Sequence, residues 1–269
     1  MKQNLEGITE TLLIPLWARA METKLENPII EDEKALEMMK KIDYDFEKFE
    51  HKRMPQVSIA IRTEILDKAT ADFIKKNPES TVINVGCGLD TRYSRLESFK
   101  IYWYDLDLPE PIRIRKHFFQ ETEHYKMIAG SVFEDAWMDK VKKDKPILFI
   151  VEGLLMYFQE DVIKLLLNKL ADVFPGAEML CEVTTPLLVE RHKKQDPEHQ
   201  RNVPFLWGIK NGKEMERLNS KIRFINEWNY YDYHKDRRRK AKISLTRQSS
   251  GRIVHLKFKD NKNGYQNIN

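Results

Sequence analysis

Five short apolar runs recur through the middle of the chain: Thr81 to Val85, Ile101 to Leu106, Tyr125 to Ala129, Ile147 to Val151 and Glu178 to Val183. Longer segments with apolar residues at helical spacing separate them, the alternation expected of parallel strands joined by crossover helices. Pro109 to Gln120 opens with proline in a helix's first turn, and Gln159 to Phe174 runs with helical periodicity into a Pro175-Gly176 stop. Val57 to Lys76 reads as a helix ended by Asn77-Pro78. Residues 1–50 are helical in pattern and contain no strand. Two later runs, Ile222 to Tyr230 and Arg252 to Lys257, follow a more polar stretch and are expected to add strands at one sheet edge. The pattern predicts a doubly wound, mostly parallel seven-stranded α/β sheet. The N-terminal helices cannot complete it and should cover one end, where open α/β sheets bind ligands.

Composition narrows the class. With 41% apolar and 33% charged residues in 269 positions, the chain suits one globular domain with a charged surface. Within it, 1–55 forms a helical lid, 56–260 the core and 261–269 a flexible tail. No apolar run approaches the roughly 20 residues needed to span a bilayer, and the N-terminus lacks a basic segment followed by an apolar one, so the expected location is cytoplasmic. Cys87 and Cys181 form no CxxC, and no metal-ligand spacing involves the seven histidines, so neither a structural disulfide nor a metal site is expected. A net charge of +4 makes no generic polyanion binder. One local cluster, Lys235, Arg237, Arg238, Arg239, Lys240 and Lys242, is read as a solvated loop, with an anionic substrate or RNA as the alternative.

The first strand runs directly into Gly86-Cys87-Gly88, where missing side chains let a ligand approach the backbone. The next strand ends in Asp105 and Asp107, about 20 residues on, where a carboxylate can accept hydrogen bonds from ribose hydroxyls. Asp107 lies nearer the strand's carboxyl end and is preferred; the competing reading is a helix cap before Pro109. Thr91 stands where a dinucleotide fingerprint has its third glycine, which counts against a pyrophosphate cofactor such as NAD. Cys87 reads as a small turn residue, since no base motif accompanies it.

Four segments resemble the leucine carboxyl methyltransferase family, which includes the tetracenomycin-type O-methyltransferases of polyketide biosynthesis. They are Val85-Gly86-Cys87-Gly88-Leu89-Asp90-Thr91-Arg92, Trp103-Tyr104-Asp105-Leu106-Asp107-Leu108-Pro109, Glu152-Gly153-Leu154-Leu155-Met156-Tyr157, and the upstream helix with Arg62. The likeness spans about residues 10–185, more loosely Phe205 to Gly208. It implies a class I Rossmann-like methyltransferase that uses S-adenosylmethionine. By position, Arg62 would bind the cofactor's carboxylate, Gly86 and Gly88 would face its methionine part, Asp107 would hold the ribose, and Ser131 and Val132 would meet the adenine. Ser131 departs from the family, which usually has Asp there, although a serine can still accept one hydrogen bond. Glu152, at the end of the fourth strand, would stabilise the sulfonium or the amine, and Tyr157 would line the substrate side.

The resemblance implies methylation of a carboxylate or hydroxyl oxygen of a small, polyketide-like molecule. The alternatives are a protein C-terminal carboxyl methyltransferase and a catalytically silent cofactor-binding protein. A carboxylate acceptor needs no base; a phenol would need one, for which Glu152, Asp45 or His234 are candidates that the sequence does not rank. The acceptor pocket is expected between residues 10–50, the Glu152 to Tyr157 loop and Phe205 to Trp207. Trp17, Leu12, Leu13 and Arg19 supply its lid, and removal of residues 1–20 should cripple turnover while leaving cofactor affinity within a few-fold. Acceptor identity and oligomeric state are not legible in the sequence.

Overall fold

The computed structural model describes residues 10–50, 53–96, 101–195, 203–240 and 246–260. Its centre is set by two strands, β1 (Thr81–Val85) and β4 (Ile147–Val151), each buried at every position. Strands apolar on both sides need covering on both sides, which is why they lie mid-sheet. They pair in parallel with each other, while β1 also pairs with β2 (Tyr102–Asp107) and β4 with β5 (Glu178–Val183). Beyond β2 comes β3 (Tyr125–Ala129); beyond β5 come β7 (Arg252–Phe258) and β6 (Ile222–Asn229), giving the order β3-β2-β1-β4-β5-β7-β6. β7 runs antiparallel to both neighbours, so the two late strands extend one edge as the sequence pattern predicts. The chain leaves β1 toward β2 on one side and returns through β4 on the other. Two connections diverging there open a crevice at the strands' carboxyl ends.

Alternate strand residues feed two cores. Val82, Leu148, Ile150, Leu180 and Ile253 join the face covered by α1 (Glu10–Thr23), α2 (Glu33–Lys41) and α3 (Arg53–Lys76). Ile83, Phe149, Val151, Cys181 and Leu256 join the opposite face, covered by Ile163, Leu166, Leu167 and Leu170 of α6 (Glu160–Val173). The remaining helices are α4 (Arg92–Leu96), α5 (Pro109–Arg115), α7 (Pro186–Gln195) and α8 (Lys235–Lys240).

Several boundaries differ from the pattern-based reading, each for a local reason. β2 includes Asp107 because Asp107 stays in register with Ala129 of β3. α5 stops at Arg115, well before Gln120: the amides of His117 and Phe118 bond to carbonyls three residues back, tightening the chain into turns, while the Arg115 side chain enters the core. α3 starts at Arg53, with Pro55 in its first turn. The basic cluster is a short helix, α8, and solvated only in part: Lys235, Arg239 and Lys240 are exposed, whereas Arg237 and Arg238 are not. Arg237 donates to both oxygens of the fully buried Glu22 at 2.8 and 2.9 Å and to the Asn27 carbonyl at 2.9 Å, and the buried Arg238 donates to the carbonyls of Tyr231 and Tyr233. Lys242 and the tail 261–269 lie outside the described residues.

The N-terminal helices are built into the domain. Leu13, Leu16, Trp17, Ala18 and Ala20 of α1 are buried in the first core, and Arg19 donates to Asp32 at 2.9 Å and to the Leu89 carbonyl at 2.8 Å. Removing residues 1–20 would therefore expose core surface as well as open a lid, so that deletion cannot isolate the lid's role. The fully buried Asp32 carboxylate caps α2 through the Ala35 amide at 2.9 Å and also accepts from Arg19, Arg95 at 2.8 Å and the Thr91 hydroxyl. Replacing it leaves the buried Arg19 and the half-buried Arg95 guanidiniums without their shared partner. Asp32→Ala should lose about 3–5 kcal/mol of stability, read as a lowered denaturant midpoint; a loss below about 1 kcal/mol would show that the cover is not anchored by this carboxylate.

Candidate active site

The backbone of Gly86-Cys87-Gly88 turns away from β1 at the crevice. Gly86 and Gly88 have φ of +63° and +46°, where a side chain is strained. A Cβ on Gly88 would lie 2.9 Å from a Leu12 methyl, and one on Gly86 would lie 3.2 Å from the Leu154 methyls. The turn hangs from β2: Gly86 N donates to the Leu106 carbonyl at 2.8 Å, and Gly88 N to Asp107 Oδ2 at 2.7 Å. Asp107 Oδ1 accepts from the Leu108 amide at 2.7 Å, and burial raises this carboxyl above its ordinary range.

Asp105, two residues earlier on the same face of β2, is committed to the interior. It is fully buried and accepts from Arg115, the Tyr125 hydroxyl at 2.5 Å, Trp103 Nε1 at 2.9 Å and Asn84 Nδ2 at 3.1 Å. The Asn84 amide also donates to Asp90 Oδ2 at 3.0 Å. An acid at position 84 would set a third carboxylate against these two, whereas the amide supplies the hydrogens both require.

Two hollows meet at Gly86. One, of about 120 Å³, is polar and is lined by Thr11, Leu12, Pro15 and Arg19 of α1, by Arg62, by Asn84 and the glycine turn, and by Glu152, Gly153 and Tyr157. The other, of about 260 Å³, is mainly apolar, with Val85, Leu106, Leu108, Val132, Phe133, Leu154 and Phe158 around Asp107 and Ser131. All the residues singled out in the sequence as cofactor contacts line one or both. A larger opening, of about 500 Å³, lies toward the amino ends of β4 and β5 beside Lys143, Lys145 and Lys257, and none of the motif residues reaches it.

In the polar hollow Glu152 is clamped between guanidiniums, with Arg62 Nη2 at 2.6 Å and Arg92 Nη2 at 2.6 Å. Burial opposes its charge, but the two arginines more than offset that and hold its carboxyl below the ordinary range. Arg62 Nη1 lies 2.9 Å from Glu182, while its buried Nε has no acceptor among the described residues. Arg92, fully buried, spends its other nitrogens on Asp67 at 2.7 Å and Asp90 at 2.8 Å. Tyr157 sits on the tight turn Leu155–Tyr157, its ring edge-on to Phe205 with centroids 5.5 Å apart. Burial, then the nearby Glu182 charge, raise its hydroxyl above the usual value. The Phe205 to Trp207 stretch is fastened to that turn by Leu206 N donating to the Met156 carbonyl at 2.7 Å.

Ser131 lines the apolar hollow, its hydroxyl accepting from the Phe133 amide at 3.2 Å; Val132 is buried beside it. Asp45 and His234 are elsewhere. Asp45 is an exposed cap on the Glu47 amide, and His234 bonds Glu64 at 2.7 Å on the flank of α3. Neither lines these hollows. Cys87 is buried, and burial pushes its thiol well above its ordinary range. Among the described residues no helix is long and apolar enough to cross a membrane, and no group of three or more His, Cys, Asp or Glu is arranged to hold a metal.

Sequence reasoning missed Glu182, Arg92, Asp90 and the role of Arg19. Glu182 had one visible signal, a lone acid near the end of an apolar strand. Asp90 and Arg92 stand inside the recognised glycine segment, but only the fold shows that they turn beneath it.

Comparison with known proteins is consistent with this geometry. The family model described as leucine carboxyl methyltransferase matches residues 13–171. The tetracenomycin polyketide synthesis O-methyltransferase TcmP of Streptomyces glaucescens is 29% identical over 229 residues, covering 85% of each chain. The S-adenosyl-L-methionine-dependent methyltransferase dpfgK of Gibberella zeae is 26% identical over 237 residues, 80% of each chain. A crystal structure from Thermobifida fusca YX, provisionally assigned as a methyltransferase, shares the fold with a TM-score of 0.59 at 14% identity, covering 90% of this chain and 94% of that one.

The carboxylates of this site set its acid sensitivity. Asp32, Asp90 and Glu152 all have carboxyls held below the ordinary range: burial opposes their charge, and adjacent arginines outweigh it. A value lowered in the folded state contributes stability that is complete above the unfolded value, roughly 4, and is lost as pH falls through the folded one. Denaturant midpoints should therefore be level from about pH 8 to 6 and fall steeply below about pH 4, less steeply in Asp90→Asn. A midpoint unchanged down to about pH 3 would contradict this origin.

Proposed function

Because the chain belongs to the leucine carboxyl methyltransferase family and is an S-adenosylmethionine-dependent methyltransferase, we propose that it methylates a carboxylate oxygen of a small, polyketide-like acid. The observation that carries the cofactor assignment is the two-part crevice, apolar at one end and densely charged at the other, with a side-chain-free turn between. A purine suits the first part and a zwitterionic amino acid the second.

Val132 and the surrounding aliphatic groups would flank the adenine, and the Ser131 hydroxyl, already accepting from Phe133, retains its own hydrogen for a ring nitrogen. Asp107 would accept from the ribose hydroxyls while its backbone donors hold it in place. Gly86 and Gly88 would let the methionine portion cross the turn. Arg62 offers its unpartnered Nε to a carboxylate, and Glu152 faces the positive amine and sulfonium. Bound there, the cofactor supplies an activated methyl group. The residues around it align the acceptor and exclude water.

The acceptor would enter beside Tyr157, Phe205 and the α1 residues Leu12 and Pro15. The walls favour an oxygen that is ionised before it arrives. Glu152 is a weak base because two guanidiniums already hold it, Tyr157 keeps its proton, and Asp45 and His234 do not line the hollow. Arg19 and Arg62 add positive charge that suits an anionic group. The names of the relatives, an O-methyltransferase of polyketide synthesis among them, support a small-molecule acceptor. A peptide C-terminal carboxylate would satisfy the same chemistry, and competition between small acids and a peptide distinguishes the two.

Two measurements test this reading. Asp107→Ala should weaken S-adenosylhomocysteine binding by about 2–3 kcal/mol in calorimetry, the cost of losing charge-assisted hydrogen bonds, whereas Asp105→Ala should chiefly lower stability by stranding Arg115. Equal losses of affinity in two folded variants would reject the ribose assignment. With a carboxylate acceptor, turnover should stay flat from about pH 6 to 9. A rising limb at constant cofactor affinity would instead mark a phenol, whose intrinsic acidity differs by roughly six units.

A further inference from the structure

Arg62 faces two carboxylates from opposite sides, and only Glu152 belongs to the recognised motifs. The other, Glu182, is itself fixed on every side. Its Oε2 accepts from the Gly153 amide at 2.8 Å and from Arg62 Nη1 at 2.9 Å, and its Oε1 accepts from the Tyr230 hydroxyl at 2.9 Å. Glu182 is 7% exposed and Tyr230 5%. Burial, then the Glu182 charge, push the Tyr230 hydroxyl well above its ordinary range, so it remains a donor. The Tyr230 ring is seated against Gly251, where a Cβ would come within 2.8 Å of it. A guanidinium paired with Glu152 alone could fold onto that acid and leave the cofactor's end of the hollow. The second carboxylate holds it in place.

We propose that Glu182, locked by Tyr230 and the Gly153 amide, is the positioning residue that aims the Arg62 guanidinium at the cofactor's carboxylate. This rests on the cofactor assignment above. Glu182 acts through Arg62 and does not itself contact the cofactor, which distinguishes it from Glu152.

Calorimetry with two probes separates the possibilities: S-adenosylhomocysteine, and its decarboxylated analogue S-adenosyl-3-thiopropylamine, which keeps the adenosine and the amine. Glu182→Ala should bind S-adenosylhomocysteine at least tenfold more weakly and the decarboxylated analogue within twofold of the unaltered protein. Tyr230→Phe, which keeps the ring and removes one hydrogen bond, should show the same selectivity at about threefold, and it carries the test if Glu182→Ala does not fold. In turnover, the KM for S-adenosylmethionine should rise while kcat at saturation holds. Equal weakening of both probes would mean that Glu182 binds the amine or merely supports the fold, and unchanged affinity for both would remove any role; either overturns the proposal. Failure of the unaltered protein to bind S-adenosylhomocysteine would reject the cofactor assignment itself, a result distinct from a variant that binds normally.

Discussion

Beneath the glycine turn, four arginines and five carboxylates have been taken out of water together, and much of the molecule is arranged so that they can be. Arg19, Arg62, Arg92 and Arg95 come from α1, α3 and α4, while Asp32, Asp67, Asp90, Glu152 and Glu182 come from α3, β5 and the loops between elements. A single ion buried without a partner costs several kcal/mol even after local relaxation. The set is tolerable only if every element arrives in register, which makes it a constraint on geometry more than a source of stability. It explains why a surface-like word such as Leu-Asp-Thr-Arg occurs at the bottom of a crevice. It also explains why the cover helix is tied to the turn by Arg19.

The same constraint divides the crevice. At the arginine end every acceptor and donor has a fixed direction, so a ligand must match a charge pattern. At the Leu106 and Val132 end shape and apolar area govern, and only Asp107 and Ser131 set orientation. A site with a directional end and a permissive end can discriminate strongly where its ligand is charged while binding the remainder by contact area.

The sheet was legible because its strands are short and rich in apolar residues, with β1 and β4 buried at every position; β1, β3, β4 and β5 match their predicted bounds at both ends. Helix ends were less legible. Whether α5 continues past Arg115 depends on partners for that arginine contributed by Gly88, Asp90, Asp105 and Tyr125, which no local pattern encodes. The glycine turn and Asp107 were visible because chemistry at strand ends recurs at set spacings, whereas Arg62 and Glu152 were indicated by the family resemblance. Glu182 and the basic segment at Arg237 were not, since their meaning lies in pairs separated by 120 and 215 residues.

That last separation bears on how the molecule is made. Glu22 is fully buried, and its ion-pair partner is Arg237. During synthesis α1 precedes the guanidinium that neutralises Glu22 by 215 residues. Contacts this distant in sequence form late, because the loop they close is long. Until α8 is present Glu22 has only the Ile29 amide and Gln56 to hold its charge, so the last fastening of the cover comes from the far end of the domain. A change at Arg237 would therefore be felt at α1, over the crevice, although the two are 215 residues apart in the chain.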